Sequence, residues 1–267
     1  MSNMYINNRI EIIPIPFSID IKYGDDIAYL ILESLKSISL EILDNDVIVV
    51  AQKIVSKAEG RVVNLDSIEP SEEAERIAKE HGKDARLVEL MLREGKIIAA
   101  EGGVIITQTR HGFVCANAGI DASNVQGNNV TLLPLDADAS ARNIRDRIYT
   151  LTNKRVAVII TDTFGRPFRE GQVNVAIGLA GINPIMDYRG KKDMYGKELR
   201  ITQIAIADEI ASAAELVMGK SRGIPVALVR GLNCCSNDEH GIYKLIRSED
   251  SDIFLKLAKA YCRRYHK

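Results

Sequence analysis

The chain alternates short apolar runs with amphipathic stretches, and the spacing within each predicts the element it forms. Residues Val156 to Gly171 read Val-Ala-Val-Ile-Ile-Thr-Asp-Thr-Phe-Gly-Arg-Pro-Phe-Arg-Glu-Gly. The near-continuous Val/Ile opening predicts a strand covered on both faces. That strand is expected to end on Thr161, Asp162 and Thr163 and to deliver a Gly/Pro/Arg loop. Val114 to Val125 repeats the outline, so a second strand is expected to end near Asp121 and Asn124. Asp46 to Ala51, Gln172 to Ala180 and Pro225 to Val229 are further apolar strands. Ile10 to Pro16 is another, and its prolines confine it to an edge. Gly103 to Thr109 and Phe113 to Ala116 predict a hairpin about His111-Gly112.

Helical spacing fills the gaps. Asp25 and Asp26 precede a helix expected from Ile27 to about Leu43, since acids suit a helix N-terminus. Ser71 caps a helix that Gly82 ends, and Asp84 to Glu94 is stopped by Gly95. In Asp138 to Asn153, Ala141, Ile144, Ile148 and Leu151 share one face, leaving Arg142, Arg145 and Arg147 to solvent. Ala205 to Met218 and Glu249 to Arg264 complete the set. Gly181 to Leu199 is irregular and basic, a long loop suited to a substrate lid or an interface arm.

Composition narrows the function classes. A formal net charge of -1 supplies no basic field for nucleic acid. With 46% hydrophobic residues among 267, the chain can bury a real core. No apolar run approaches the roughly 20 residues of a membrane span, and the N-terminus lacks the regions of a signal peptide. A cytoplasmic protein without a membrane partner is expected. The four cysteines, Cys115, Cys234, Cys235 and Cys262, form no CxxC pair and lie far from the histidines, which argues against zinc. Cys115 reads as a small buried hydrophobe, and the Cys234-Cys235 pair has no role that the sequence explains.

The candidate chemistry rests on Asp121 and Asp162. Two carboxylates, Asp162 with a hydroxyl on either side, suit a hard cation such as Mg²⁺ or Mn²⁺, which usually keeps a substrate phosphate among its ligands. Arg166 and Arg169 follow Asp162 within one loop and could pair with phosphate or carboxylate. Against this stands the plainer reading of Asp as a turn former, Arg as a solvated side chain and His111 as a turn residue. Two stretches imitate a P-loop without being one. Gly190 to Lys197 has the wrong spacing, and Ala214 to Ser221 lacks the first glycine and lies at a helix end. There is also no Gly-x-Gly-x-x-Gly, so neither a P-loop nor a Rossmann nucleotide site is predicted.

Four further motifs make the pattern specific: Asn117-Ala118-Gly119-Ile120-Asp121-Ala122-Ser123-Asn124, Thr161-Asp162-Thr163-Phe164-Gly165-Arg166, Ser56-Lys57-Ala58-Glu59-Gly60-Arg61 and Ala207-Asp208-Glu209-Ile210-Ala211. In this order, from about Ile13 to Asn233, the chain resembles the coenzyme F420-0:L-glutamate ligase family. The resemblance implies GTP-dependent addition of L-glutamate, through an acyl phosphate and a γ-linked amide, to a deazaflavin coenzyme F420 precursor. It implies one divalent ion on Asp121 and Asp162, a second on Thr163, and K⁺ as a further candidate ion. Lys57 and Asn124 would contact the nucleotide, with Asp121, Asp162 and Lys57 central to catalysis. The loops Ser18, Ile19, Asp20 and Ile21, then Gln52 and Lys53, then Met218, Gly219, Lys220, Ser221, Arg222, Gly223 and Ile224 would enclose it. Where some relatives carry an acid after Met-Gly, this chain has Lys220, which leaves that ligand position to a backbone carbonyl or water. The family's habit implies a homodimer. The fold expected is α/β, with mixed sheets in two interlocked subdomains and no clean linker, so that residues 1–267 form a single ligase unit. Rival readings are a metal-dependent phosphatase or kinase using the same acids, and a non-catalytic deazaflavin-binding protein.

Overall fold

The computed structural model describes residues 9–236 and 240–265. In chain order it contains β1 (Glu11–Ile15), α1 (Ile27–Ser37), β2 (Val47–Ala51), α2 (Gln52–Ala58) and β3 (Val62–Asn64). There follow α3 (Glu72–His81), α4 (Ala85–Glu94), β4 (Gly95–Glu101), β5 (Val104–Thr109), β6 (Val114–Ala116) and β7 (Asn129–Thr131). The remainder is α5 (Ala137–Thr152), β8 (Ala157–Arg166), β9 (Arg169–Ala180), β10 (Met186–Asp187), β11 (Gln203–Ile204), α6 (Ile206–Met218), β12 (Val226–Arg230) and α7 (Ile253–Tyr265). The expected α/β class with mixed sheets is what forms.

The largest sheet has the order β1-β12-β2-β8-β9. Only β2 and β8 run parallel within it. β1 takes an edge, consistent with Pro14, which has no N–H to give a second neighbour. Val47 to Val50 and Ala157 to Thr161 are all buried, so both faces of these strands are covered. Fully burying each such aliphatic side chain contributes about 1.5–3 kcal/mol, and this sheet therefore anchors one apolar cluster. A second cluster, including Leu65, Ala78, Val88, Met91, Ile105, Val130 and Leu132, lies among β4, β5, β7, α3 and α4. At Gly178 of β9 a Cβ would lie 2.4 Å from the backbone carbon of Ala137, so the close seating of α5 on the sheet requires glycine.

Caps form where short polar side chains precede the helices. Asp26, Ser71, Asp84 and Asp136 each accept a hydrogen bond from a first-turn N–H. Gly82 closes α3 in the left-handed conformation. Four expectations need correction. α1 stops at Ser37, not near Leu43, because Ser39 turns left-handed (φ 56°) and the Leu40 N–H returns to Leu35 O at 3.0 Å. β8 does not stop at Thr163 but runs on to Arg166 and pairs with β9 around a turn containing Phe168 (φ 62°), so the Gly/Pro/Arg stretch is a hairpin. Gln52 and Lys53, expected in a loop after the strand, instead open a helix that runs to Ala58. The C-terminal helix begins at Ile253, not Glu249, and the side chain of Cys262 lies outside the described residues.

Candidate active site

β2 and β8 run together only as far as Ala51 opposite Thr161. There β2 turns into α2, and from Asp162 onward β8 keeps β9 on one side while its other edge faces a cavity. This is how the topology exposes an acid at the end of a buried strand. Opposite Thr161 the register slips by one residue, and the resulting bulge in β9 frees the Ala176 N–H. Asp208 of α6 accepts that N–H at 2.9 Å, which gives the Ala207-Asp208-Glu209 motif a structural task.

Asp121 arrives differently. It does not end a strand, since β6 finishes at Ala116 and Asn117, Ala118 and Gly119 follow with φ of 53°, 55° and 70°. This left-handed run turns the chain so that Asp121 bridges Thr131 through paired backbone hydrogen bonds of 3.1 and 2.9 Å. A Cβ on Gly119 would meet Leu133 at 2.8 Å, so the motif's glycine is needed for conformation and space together. Lys53 then links the two clusters. From α2 its ammonium donates to Asp121 Oδ2 at 2.6 Å and to Ser123 Oγ at 2.8 Å.

The cavity has a volume of about 640 Å³. Asp121, Asp162, Thr163, Lys53, Lys57, Gln52 and Asn124 all line it, with Ser18, Ile19, Asp20, Ile21, Met218, Gly219, Lys220, Gly223 and Ile224. Residues as far apart in sequence as Ser18 and Ile224 are thus brought to one place, roughly a nucleotide-sized volume. Ser221, Arg222, Arg166 and Arg169 are not among the lining residues. Arg166 instead donates to Glu170 O across the hairpin at 3.1 Å. Lys57, expected to meet phosphate, donates to Asp20 Oδ1 at 2.6 Å across the cavity mouth. His111 stacks on Phe113 with its Nε2 3.0 Å from Leu135 O, away from the cavity lining.

Sequence reasoning passed over Asn174 and Glu215. Asn174 is a buried amide in an otherwise apolar strand, and it receives the Thr163 hydroxyl proton at Oδ1, 2.7 Å away. Its Nδ2 donates to Glu215 Oε2 at 3.0 Å. The available signal was spacing: Asp208, Ser212 and Glu215 recur at helical intervals in a helix otherwise rich in Ala and Ile. All three contact β9, Ser212 through Asn174 O at 2.7 Å.

The two acids titrate in opposite directions. Burial, reinforced by the neighbouring Asp121 charge, pushes Asp162 up to about 6 although the Thr163 N–H partly offsets it. Asp121 is also desolvated, but the Lys53 ammonium and the Ser123 N–H hold it below the ordinary carboxylate range. Burial and the Asp162 charge push the Cys115 thiol up to about 12, so this cysteine beside the site stays protonated.

The donor set decides what could be held here. Among the described residues no three His, Cys, Asp or Glu side chains converge as a metal cage. Lys53 pairs with Asp121 alone, and Asp162, whose carboxyl is raised chiefly by burial, has no ion-pair partner among the described residues. Oxygen donors with residual negative charge fit one hard divalent ion sharing its remaining ligands with substrate. Thr163 differs, because its hydroxyl accepts from the Lys220 ammonium. That ammonium stands where the Thr163 hydroxyl would otherwise meet a second ion.

A family model described as F420-0:Gamma-glutamyl ligase matches residues 18–231. The chain belongs to this ligase family. It is 49% identical over 234 residues to the coenzyme F420:L-glutamate ligase of Methanothermobacter thermautotrophicus, covering 86% of this chain and 93% of that one. The Methanopyrus kandleri enzyme of the same name is 48% identical over 92% of this chain and 97% of its own length. For the Archaeoglobus fulgidus enzyme the identity is 44%, over 94% and 98%. Family membership and the cavity draw on the same residues: the matched region contains every side chain that lines it except Phe17. Some motif residues serve the scaffold instead. Ser56 of α2 donates to Leu132 O at 2.7 Å, and Arg61 just beyond α2 donates to Leu133 O at 2.9 Å and to Glu94 of α4 at 2.7 Å, tying this region to the segment after β7 and to α4. Among the described residues no helix is long and apolar enough to cross a membrane.

Proposed function

We propose that the chain is a GTP-dependent ligase that joins L-glutamate to the deazaflavin coenzyme F420 precursor through a γ-linked amide, working in the cytoplasm as a homodimer. The observation that carries this reading is the meeting of Asp121, Asp162, Lys53 and Lys57 around one cavity in a member of this ligase family. The terminal phosphoryl group of GTP passes to a carboxylate oxygen of the acceptor, leaving GDP and an acyl phosphate. The glutamate amine then attacks the acyl carbon, phosphate leaves, and the amine nitrogen gives up its proton as the amide forms.

Such a reaction asks the protein chiefly to position reactants and offset charge. A divalent Mg²⁺ or Mn²⁺ ion held by Asp121 and Asp162 would supply charge stabilisation for the transferred phosphoryl group. Lys53 keeps Asp121 ionised and oriented. Lys57, drawn from its pair with Asp20, offsets phosphate charge as a mobile ammonium. Asn124, left-handed at φ 54°, places its amide toward the Met218-Gly219-Lys220 loop, where it donates to Lys220 O at 3.4 Å. No side-chain nucleophile is required, in keeping with the protonated Cys115 thiol.

Mass spectrometry of a reaction containing GTP, divalent metal, deazaflavin acceptor and glutamate tests the proposal. The expected product is heavier by one glutamyl residue and appears only when all four are present. Metal-dependent release of phosphate without joined glutamate would favour a phosphatase, and phosphorylated acceptor alone would favour a kinase. Binding of the deazaflavin without turnover would leave a binding protein.

A further inference from the structure

Lys220 ends its side chain in a ring of oxygen atoms. Its ammonium donates to Thr163 Oγ1 and, at 3.2 Å, to Asn174 Oδ1, and it lies 3.3 Å from Glu215 Oε1. An ammonium has no lone pair, and here it makes two hydrogen bonds and one ion pair. The acceptors are themselves positioned: Thr163 donates to Asn174 Oδ1, and Asn174 Nδ2 holds the other Glu215 oxygen. Asn174 is buried and cannot turn away to water. The cluster is therefore organised around one positive charge.

Charge separates this end of the cavity from the other. Glu215 is matched by Lys220, one charge against one. At the other end Lys53 pairs with Asp121 at 2.6 Å, and among the described residues Asp162 is in no ion pair, which leaves a carboxylate for a further cation.

We propose that Lys220 is the resident cation of the Thr163, Asn174 and Glu215 cluster, so that the chain binds a single divalent ion, at Asp121 and Asp162. A tethered ammonium does in this chain what a second, dissociable ion would otherwise do at these oxygens: it holds positive charge beside the phosphate-transfer position. Because it is covalently attached, it is present at every concentration of free metal. The inference rests on the metal-nucleotide reading of the cavity given above.

Counting bound Mn²⁺ on the full-length chain tests it, using the electron paramagnetic resonance signal of free Mn²⁺ in a titration without nucleotide. The expected result is saturation at one Mn²⁺ per chain for the unaltered protein and two for Lys220→Ala, in which Glu215, Asn174 and Thr163 are released to a metal. Lys220→Arg, which keeps the charge, should stay at one. Adding Glu215→Gln to Lys220→Ala should return the count to one. Thermal melts establish that each variant is folded. Two ions on the unaltered chain, or one on both it and Lys220→Ala, overturns the proposal while leaving the Asp121/Asp162 site standing. Absence of any bound ion on the unaltered chain overturns the proposal and the metal reading beneath it together.

Discussion

Asp162 and Asp121 carry the same functional group into one cavity from opposite kinds of structure. Asp162 rides on β8, whose preceding residues are buried, and its carboxyl is pushed up to about 6 by that burial. Asp121 rides on an irregular segment held by the bridge to Thr131, and Lys53 keeps its carboxyl low. Identical side chains thus acquire different tasks from their supports. The strand-borne acid is positioned by the main sheet and poorly compensated. The loop-borne acid is well compensated, and its position depends on a cross-link between two apolar clusters.

The largest effects should come from deleting either charge. Asp162→Asn and Asp121→Asn keep shape while removing a carboxylate, and metal-dependent glutamate joining should fall about a hundredfold or more in each, read from initial rates. Retention of full activity by folded Asp162→Asn would make that acid a structural residue of β8 and break the comparison.

Lys53→Met should act chiefly through Asp121. Without the ammonium the Asp121 carboxyl rises, so the acid limb of the kcat/KM profile should move to higher pH as the rate falls. Asp121→Asn should remove that shift. Lys57→Met, by contrast, should weaken GTP binding by about tenfold, the cost of one charge-assisted contact, while calorimetry still shows metal bound to the protein.

Stability should separate the acids with the opposite sign from activity. Asp162 has a folded-state value near 6 against an ordinary 3.8, so the native state holds its proton more tightly than the unfolded chain. Its contribution is present at low pH and is lost as pH rises from about 4 to 6. In metal-free protein Asp162→Asn should therefore melt above the parent at pH 7.5, by an amount on the order of 1–3 kcal/mol, and the gap should close near pH 4. Asp121→Asn should melt at or below the parent, since its low value means that ionisation favours folding.

The smallest effect is expected at the hairpin. Arg166→Ala and Arg169→Ala lie outside the cavity lining, and initial rates should stay within about twofold of the parent, as for surface substitutions. A tenfold rise in the KM for acceptor would bring the hairpin into the site.

Much of this molecule was legible in the chain itself. Val/Ile runs bounded by turn residues announced β2, β8 and β12, and Asp26, Ser71, Asp84 and Gly82 marked helix ends, because capping and alternation are local chemistry acting over a few residues. The motif order was sufficient to suggest the family and to select Asp121, Asp162, Lys53, Lys57 and Asn124, all of which the fold brings to one cavity. Tertiary structure decided the rest. That β8 continues past Asp162 depends on β9, which supplies backbone partners after β2 has turned away. The opposite titration of two aspartates depends on burial and on an ammonium 68 positions distant in sequence. Lys220 read as a missing ligand in the sequence. Its meeting with Thr163, Asn174 and Glu215 exists only because α6 lies across β9, and the balance of charge at a site is a property of neighbours in space, which no local pattern encodes.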